Sequence, residues 1–96
     1  MTPVELSEAA IADLTEILDY GVATFGERTG EEYVASFDDG FALIAQHPMA
    51  GAVHDFIRPP IRSIAHGRHR IYYDLVGSGV VVQRILHHAM DIKRQF

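Results

Sequence analysis

Arg84, His87, His88 and Asp91 stand close together at the end of a valine-rich run, and their types set what chemistry this chain could attempt. Arg58, Arg62, Arg68 and Arg70 precede them, with His66, His69 and Tyr73 interspersed. Arginines stabilise crowded phosphate oxygens, and histidines exchange protons near neutrality. Cleaving RNA through its own 2'-hydroxyl needs a base, a cation and an acid, and these residue types can supply each. The stretch has no lysine before Lys93 and no glutamate, and spacing alone assigns no catalytic residue among them. A metal site is also not expected. His66 and His69 fall on a strand and turn rather than a helix, adjacent His87 and His88 point to opposite faces of a strand, and there is no cysteine. Arg84 interrupts an apolar strand on the face of Val80 and Val82, so it needs a carboxylate partner, with Asp91 or Asp74 available. Arg84, His87 and Asp91 are therefore read as a structural polar cluster, with His87 at the strand end and Asp91 tying down the tail. No cofactor is implied.

The elements that must position these groups follow from periodicity. Between Arg68 and Asp91, two runs of Ile, Val and Tyr flank Gly77-Ser78-Gly79, which predicts a hairpin. Tyr72 and Tyr73 face opposite ways, which puts one in the core and leaves the other as a surface anchor. Ile61 to Ala65 gives a weaker strand signal ahead of Gly67, so three strands form an antiparallel meander. The loop from His47 to Pro60 has room for a brief strand around Val53 to Ile57. Pro3 to Leu6 reads as a short edge strand, and Ser7 as a helix N-cap. Ala10, Ile11, Leu14, Ile17, Leu18 and Val22 then line one helical face, with Asp13, Glu16 and Asp19 turned away, until Phe25-Gly26 closes the helix. Thr29 and Glu32 have capping-box spacing, and Tyr33, Phe37, Phe41 and Ile44 continue a helical stripe to Pro48. The fold class is α+β: a short N-terminal strand and an antiparallel two-helix hairpin packed on a small antiparallel sheet. Ile11, Leu14, Leu18 and Phe37 are expected in the core.

At 96 residues, 48% of them hydrophobic, the chain reads as one domain over 1–96. The absence of cysteine and of any long apolar run points to a cytoplasmic protein away from membranes. The net charge of -5 conceals a division. Residues 1–57 hold eleven acids and only Arg28, whereas residues 58–96 hold seven bases against Asp74 and Asp91. Either the molecule has two electrostatically different faces, or acidic helices and a basic sheet attract each other.

The segments VELSEAAIADLTEILDY, IAQHPMAG, IRSIAHGRHRIYYDL and VVVQRILHHAMD resemble ParE toxins of the RelE/ParE superfamily. The most specific part is Arg84-Ile85-Leu86-His87 with Met90-Asp91 behind it. The resemblance implies the toxin of a type II toxin-antitoxin pair, held by a ParD-like antitoxin in a hetero-oligomer, with DNA gyrase as target and replication as the process blocked. It implies no sequence-specific contact with nucleic acid. Two alternatives stay open: a ribosome-dependent ribonuclease of the RelE kind, whose lysine-rich or paired acid-base pattern is not matched, and an interaction module that retains antitoxin binding. The antitoxin's toxin-binding tail is commonly acidic in such pairs, so the basic residues Arg58, Arg62, Arg68 and Arg70 are expected to meet it.

Overall fold

Ser7 starts the helical layer as the spacing predicts, since its hydroxyl oxygen accepts from the Ala10 N–H at 3.0 Å. The same hydroxyl donates to the Gln83 carbonyl at 2.8 Å, so the cap is also tied to the far end of the chain. In the computed structural model, which describes residues 1–96, this cap separates β1 (Val4–Leu6) from α1 (Glu8–Phe25). Gly26, at φ 94°, breaks the helix and serves as the cap residue of α2 (Glu27–Gln46). The second helix therefore begins two residues ahead of Thr29, and the expected Thr29–Glu32 capping box does not form. Pro48 lies just beyond its end. β2 (Ala52–His54), β3 (Ile61–His66), β4 (His69–Val76) and β5 (Gly79–His87) follow, and a short 3-10 helix spans Ile92–Arg94.

Strands β2 to β5 are antiparallel neighbours, as the glycine-separated runs predict, and the sheet order is β1-β5-β4-β3-β2. The turn between β4 and β5 holds two residues, with Gly77 at φ 58° in the left-handed region that glycine enters without a Cβ clash. β1 lies parallel to β5, pairing Val4 with Val80 and Leu6 with Val82, so the sheet is mixed. That pairing joins residues almost a whole chain apart, and no local pattern specifies it.

The helices cover one face of the sheet. Ala10, Phe37 and Ile44 from the helices meet Ile71, Tyr73, Val80, Val82 and Ile85 from the strands. The helices approach each other closely at Gly21 and Gly30, where a Cβ on Gly30 would lie 2.6 Å from the Val22 nitrogen. The predicted core needs correction at three points. Phe37 is fully buried and half-buried Leu14 packs against the core, but Ile11 is 53% exposed, and Leu18 is half-buried. Asp13, read as turned to solvent, is buried, because the face of α1 against the sheet runs through Ala10, Asp13, Ile17 and Gly21. Both tyrosines are buried as well: Tyr73 under the helices, and Tyr72 on the opposite face with Ile61 and Leu86, where Ile57 and Ile92 pack against them.

Candidate functional site

Residues 84–87 of β5 extend past the end of β1, which pairs only with Val80 to Val82. Their outer edge faces the second half of α1 across an open cleft of about 760 Å³. Ile17, Tyr20, Gly21 and Phe25 of α1 form one wall, and Thr29, Gly30 and Tyr33 of α2 continue it. Ile85, Leu86, His87 and Met90 form the other, and Gly67, Arg68 and His69 close the end. The apolar side is exposed at its rim, where Tyr20 and Phe25 meet edge to face with ring centroids 6.4 Å apart.

The β5 edge would carry an unpartnered amide at Ile85, but Asp13 reaches it from α1. One carboxylate oxygen of Asp13 accepts the Ile85 N–H at 2.8 Å. The two oxygens together accept Arg84 Nε and Nη2, each at 2.8 Å, in a bidentate fork. These hydrogen bonds raise the Arg84 pKa further above its usual range. The expected pairing of Arg84 with Asp91 or Asp74 is thus overturned. β1 ends at its pair with Val82, so the β5 edge beside Arg84 is open and the guanidinium reaches Asp13 across it. A β-bulge also intervenes: Tyr72 pairs with Arg84 and Tyr73 with Val82, which leaves Gln83 without a partner on β4 and breaks the alternation that put Arg84 with Val82. Asp91 instead caps its own turn, accepting the Lys93 N–H at 3.0 Å, with Arg94 at 4.0 Å. Of the proposed polar cluster, Arg84 and His87 line the cleft together and Asp91 does not.

Four of the histidines collect at this end of the sheet, because His66 pairs with His69 and His69 with His87 across the strands. The Tyr33 hydroxyl lies 2.7 Å from His69 Nδ1 and accepts the Arg68 N–H at 3.1 Å. The same hydroxyl also donates to the His66 carbonyl at 3.4 Å, so Tyr33 ties together His66, Arg68 and His69 at this end of the sheet. Burial first, and then the neighbouring His87, His66 and His88, lower the His69 pKa to about 4, against a small opposing pull from Asp13. His66 Nε2 meets the Ser36 hydroxyl at 2.8 Å, and His88 Nδ1 donates to the Arg68 carbonyl at 2.8 Å. No three of the histidine and carboxylate side chains converge where a metal ion could sit.

The four arginines expected to meet the antitoxin do not form one patch. Arg62 points to the helix side of the sheet and donates to the Met49 and Gly51 carbonyls. Arg70, in the Ala65 register on the other face, donates from Nε to the Ser63 hydroxyl at 3.0 Å. Arg58 donates to the Asp55 carbonyl in the β2–β3 loop. Arg68 alone lines the cleft, and its guanidinium has no protein partner. Sequence reasoning missed Asp13, Tyr33 and the apolar rim. Asp13 had a signal, since its three-residue spacing from Ala10 and four-residue spacing to Ile17 place it in the buried helical stripe.

A family model described as the ParE toxin of the type II toxin-antitoxin system parDE matches residues 4–92. Toxin ParE1 of Mycobacterium tuberculosis is 36% identical over 90 residues, covering 93% of this chain and 92% of that protein. Toxin ParE1 of Caulobacter vibrioides is 32% identical over 93 residues, covering 97% of this chain and 96% of the relative. A solved chromosomal ParDE toxin-antitoxin system from P. aeruginosa has the same fold at a TM-score of 0.77, with 20% identity and coverage of 91% of this chain and 96% of that one.

Proposed function

Because the chain belongs to the ParE toxin family of type II toxin-antitoxin systems, we propose that a ParD-like antitoxin holds it inactive and that, once free in the cytoplasm, it inhibits DNA gyrase and so blocks replication. The observation that supports the antitoxin half is the cleft. It sets exposed Tyr20, Phe25 and Met90 near an unpaired Arg68, and the wall facing α1 is a stretch of β5 edge that β1 leaves open. An apolar segment carrying carboxylates fits those walls, burying its hydrophobic side chains against α1 and meeting Arg68 with its acids. Arg68 is the member of the predicted arginine set assigned to this contact. The gyrase half rests on family membership.

Expression of the chain alone in a bacterial host arrests growth, and co-expression of a small ribbon-helix-helix protein encoded beside it restores growth. Purified toxin inhibits gyrase supercoiling, and primer extension on translating ribosomes shows no new mRNA ends. The reverse pair of results would replace gyrase inhibition with the ribonuclease reading, which the grouping of Tyr33, His69, His87 and Arg68 in one cleft keeps in view. Two negative results with tight antitoxin binding would leave an interaction module.

A further inference from the structure

The face of the sheet away from the helices carries a run of aromatic rings with cations beside it, none of which the cleft uses. His54 lies 6.0 Å from Phe56 and 5.6 Å from Tyr72, and Tyr72 lies 5.6 Å from Phe96, measured between ring centroids. Three separate segments build this row: the end of β2 with its loop, the middle of β4, and the residues after the 3-10 helix. Tyr72 is its buried anchor, while Phe56 is 52% and Phe96 43% exposed.

The cations are positioned rather than scattered. Arg70 is fixed through Nε to Ser63 Oγ at 3.0 Å, and that hydroxyl lies 2.7 Å from His54 Nε2. With the oxygen accepting from Arg70, the Ser63 proton goes to a neutral His54, whose pKa burial and the adjacent Arg70 both lower. The terminal nitrogens of Arg70 take no protein partner and are left to bind an anion from outside. Lys93 stands 5.6 Å from the centre of the Phe56 ring, with its ammonium otherwise unengaged.

We propose that this face is a docking surface for single-stranded nucleic acid, in which bases stack on Phe56 and Phe96 while Arg70 and Lys93 meet phosphates. Exposed rings beside oriented cations suit a single strand, whose bases are free to stack, better than a duplex, whose base faces are hidden. An acidic peptide would satisfy the two cations but leave the rings without flat partners. The surface reads no sequence, because stacking and phosphate contacts are common to all bases. This inference is independent of the cleft and of the antitoxin assigned to it.

Fluorescence anisotropy of a labelled oligothymidylate titrated with the purified full chain tests it. Binding is expected at low salt and weakens as salt rises. Replacing Arg70 and Lys93 with glutamine should reduce the salt slope by about 0.7 for each lost phosphate contact. Phe56→Leu with Phe96→Leu keeps apolar bulk on exposed positions and should weaken binding roughly tenfold with little change in slope. Antitoxin affinity stays unchanged in both variants, which confirms that each is folded. No salt-dependent binding, or binding that neither variant alters, would overturn the proposal. Polyglutamate competing as well as the oligonucleotide would overturn it in favour of an acidic protein partner.

Discussion

Asp13 does three things at once: it neutralises Arg84, orients that guanidinium and satisfies the Ile85 amide at the open edge of β5. Asp13→Ala strands a cation that is 26% exposed together with a buried N–H, so a loss of about 2–3 kcal/mol is expected in urea denaturation. Replacing both residues with leucine should cost less than the single change, because only the amide is left unsatisfied, and a double-mutant cycle reads the difference as coupling. His69 gives a separate prediction in pH. Its folded-state pKa, about 4, lies below the ordinary 6.5, so the unfolded chain binds the proton more readily. The stabilisation is therefore complete above pH 6.5 and is lost as pH falls from there towards 4. After discount for solvent screening at this half-buried site, the change is about 1–2 kcal/mol. His69→Gln removes the titrating group while keeping a polar side chain, able to donate or accept, beside the Tyr33 hydroxyl, and should flatten the acid limb of a stability-against-pH curve.

At the scale of elements, the two helices meet through Gly21 and Gly30, with backbone on both sides of the contact. A methyl group on Gly30 would meet the Val22 nitrogen at 2.6 Å and the Gly21 carbonyl carbon at 2.8 Å, and neither can swing away. Gly30→Ala should therefore destabilise by about 1–3 kcal/mol, even though alanine is the better helix former by roughly 1 kcal/mol. Thermal melting of the purified variant measures it. The sign is informative, since propensity alone predicts stabilisation. Ser7 is the equivalent joint between helix and sheet, as its hydroxyl both caps α1 and donates to Gln83 in the bulge of β5. Helix-capping energy puts the cost of Ser7→Ala at about 1–2 kcal/mol, read from a shifted urea midpoint.

Across the whole molecule, the acidic first half supplies both helices and the basic second half supplies most of the sheet, so the charge division of the sequence becomes a division between layers. The arginines within the basic half still have different work, because β3, β4 and the loops point them to different faces. Arg68→Glu should weaken antitoxin binding roughly tenfold, whereas Arg62→Glu and Arg70→Glu should leave it near the starting value. Titration calorimetry of each single variant checks this, and an equal loss at all three positions would return the contact to the sheet faces.

The amphipathic helices, the glycine-separated strands and the α+β class were legible in the sequence because each depends on residues a few positions apart, where apolar spacing and turn chemistry act locally. So were Ser7 as a cap and Gly26 as the break between helices. The tertiary structure decided what depends on residues distant in the chain: β1 beside β5, Asp13 rather than Asp91 or Asp74 as the partner of Arg84, and the cleft between α1 and the open strand edge. The Gln83 bulge shows why. One extra residue reverses which face every later side chain takes, and only the pairing of β5 with β4 reveals it.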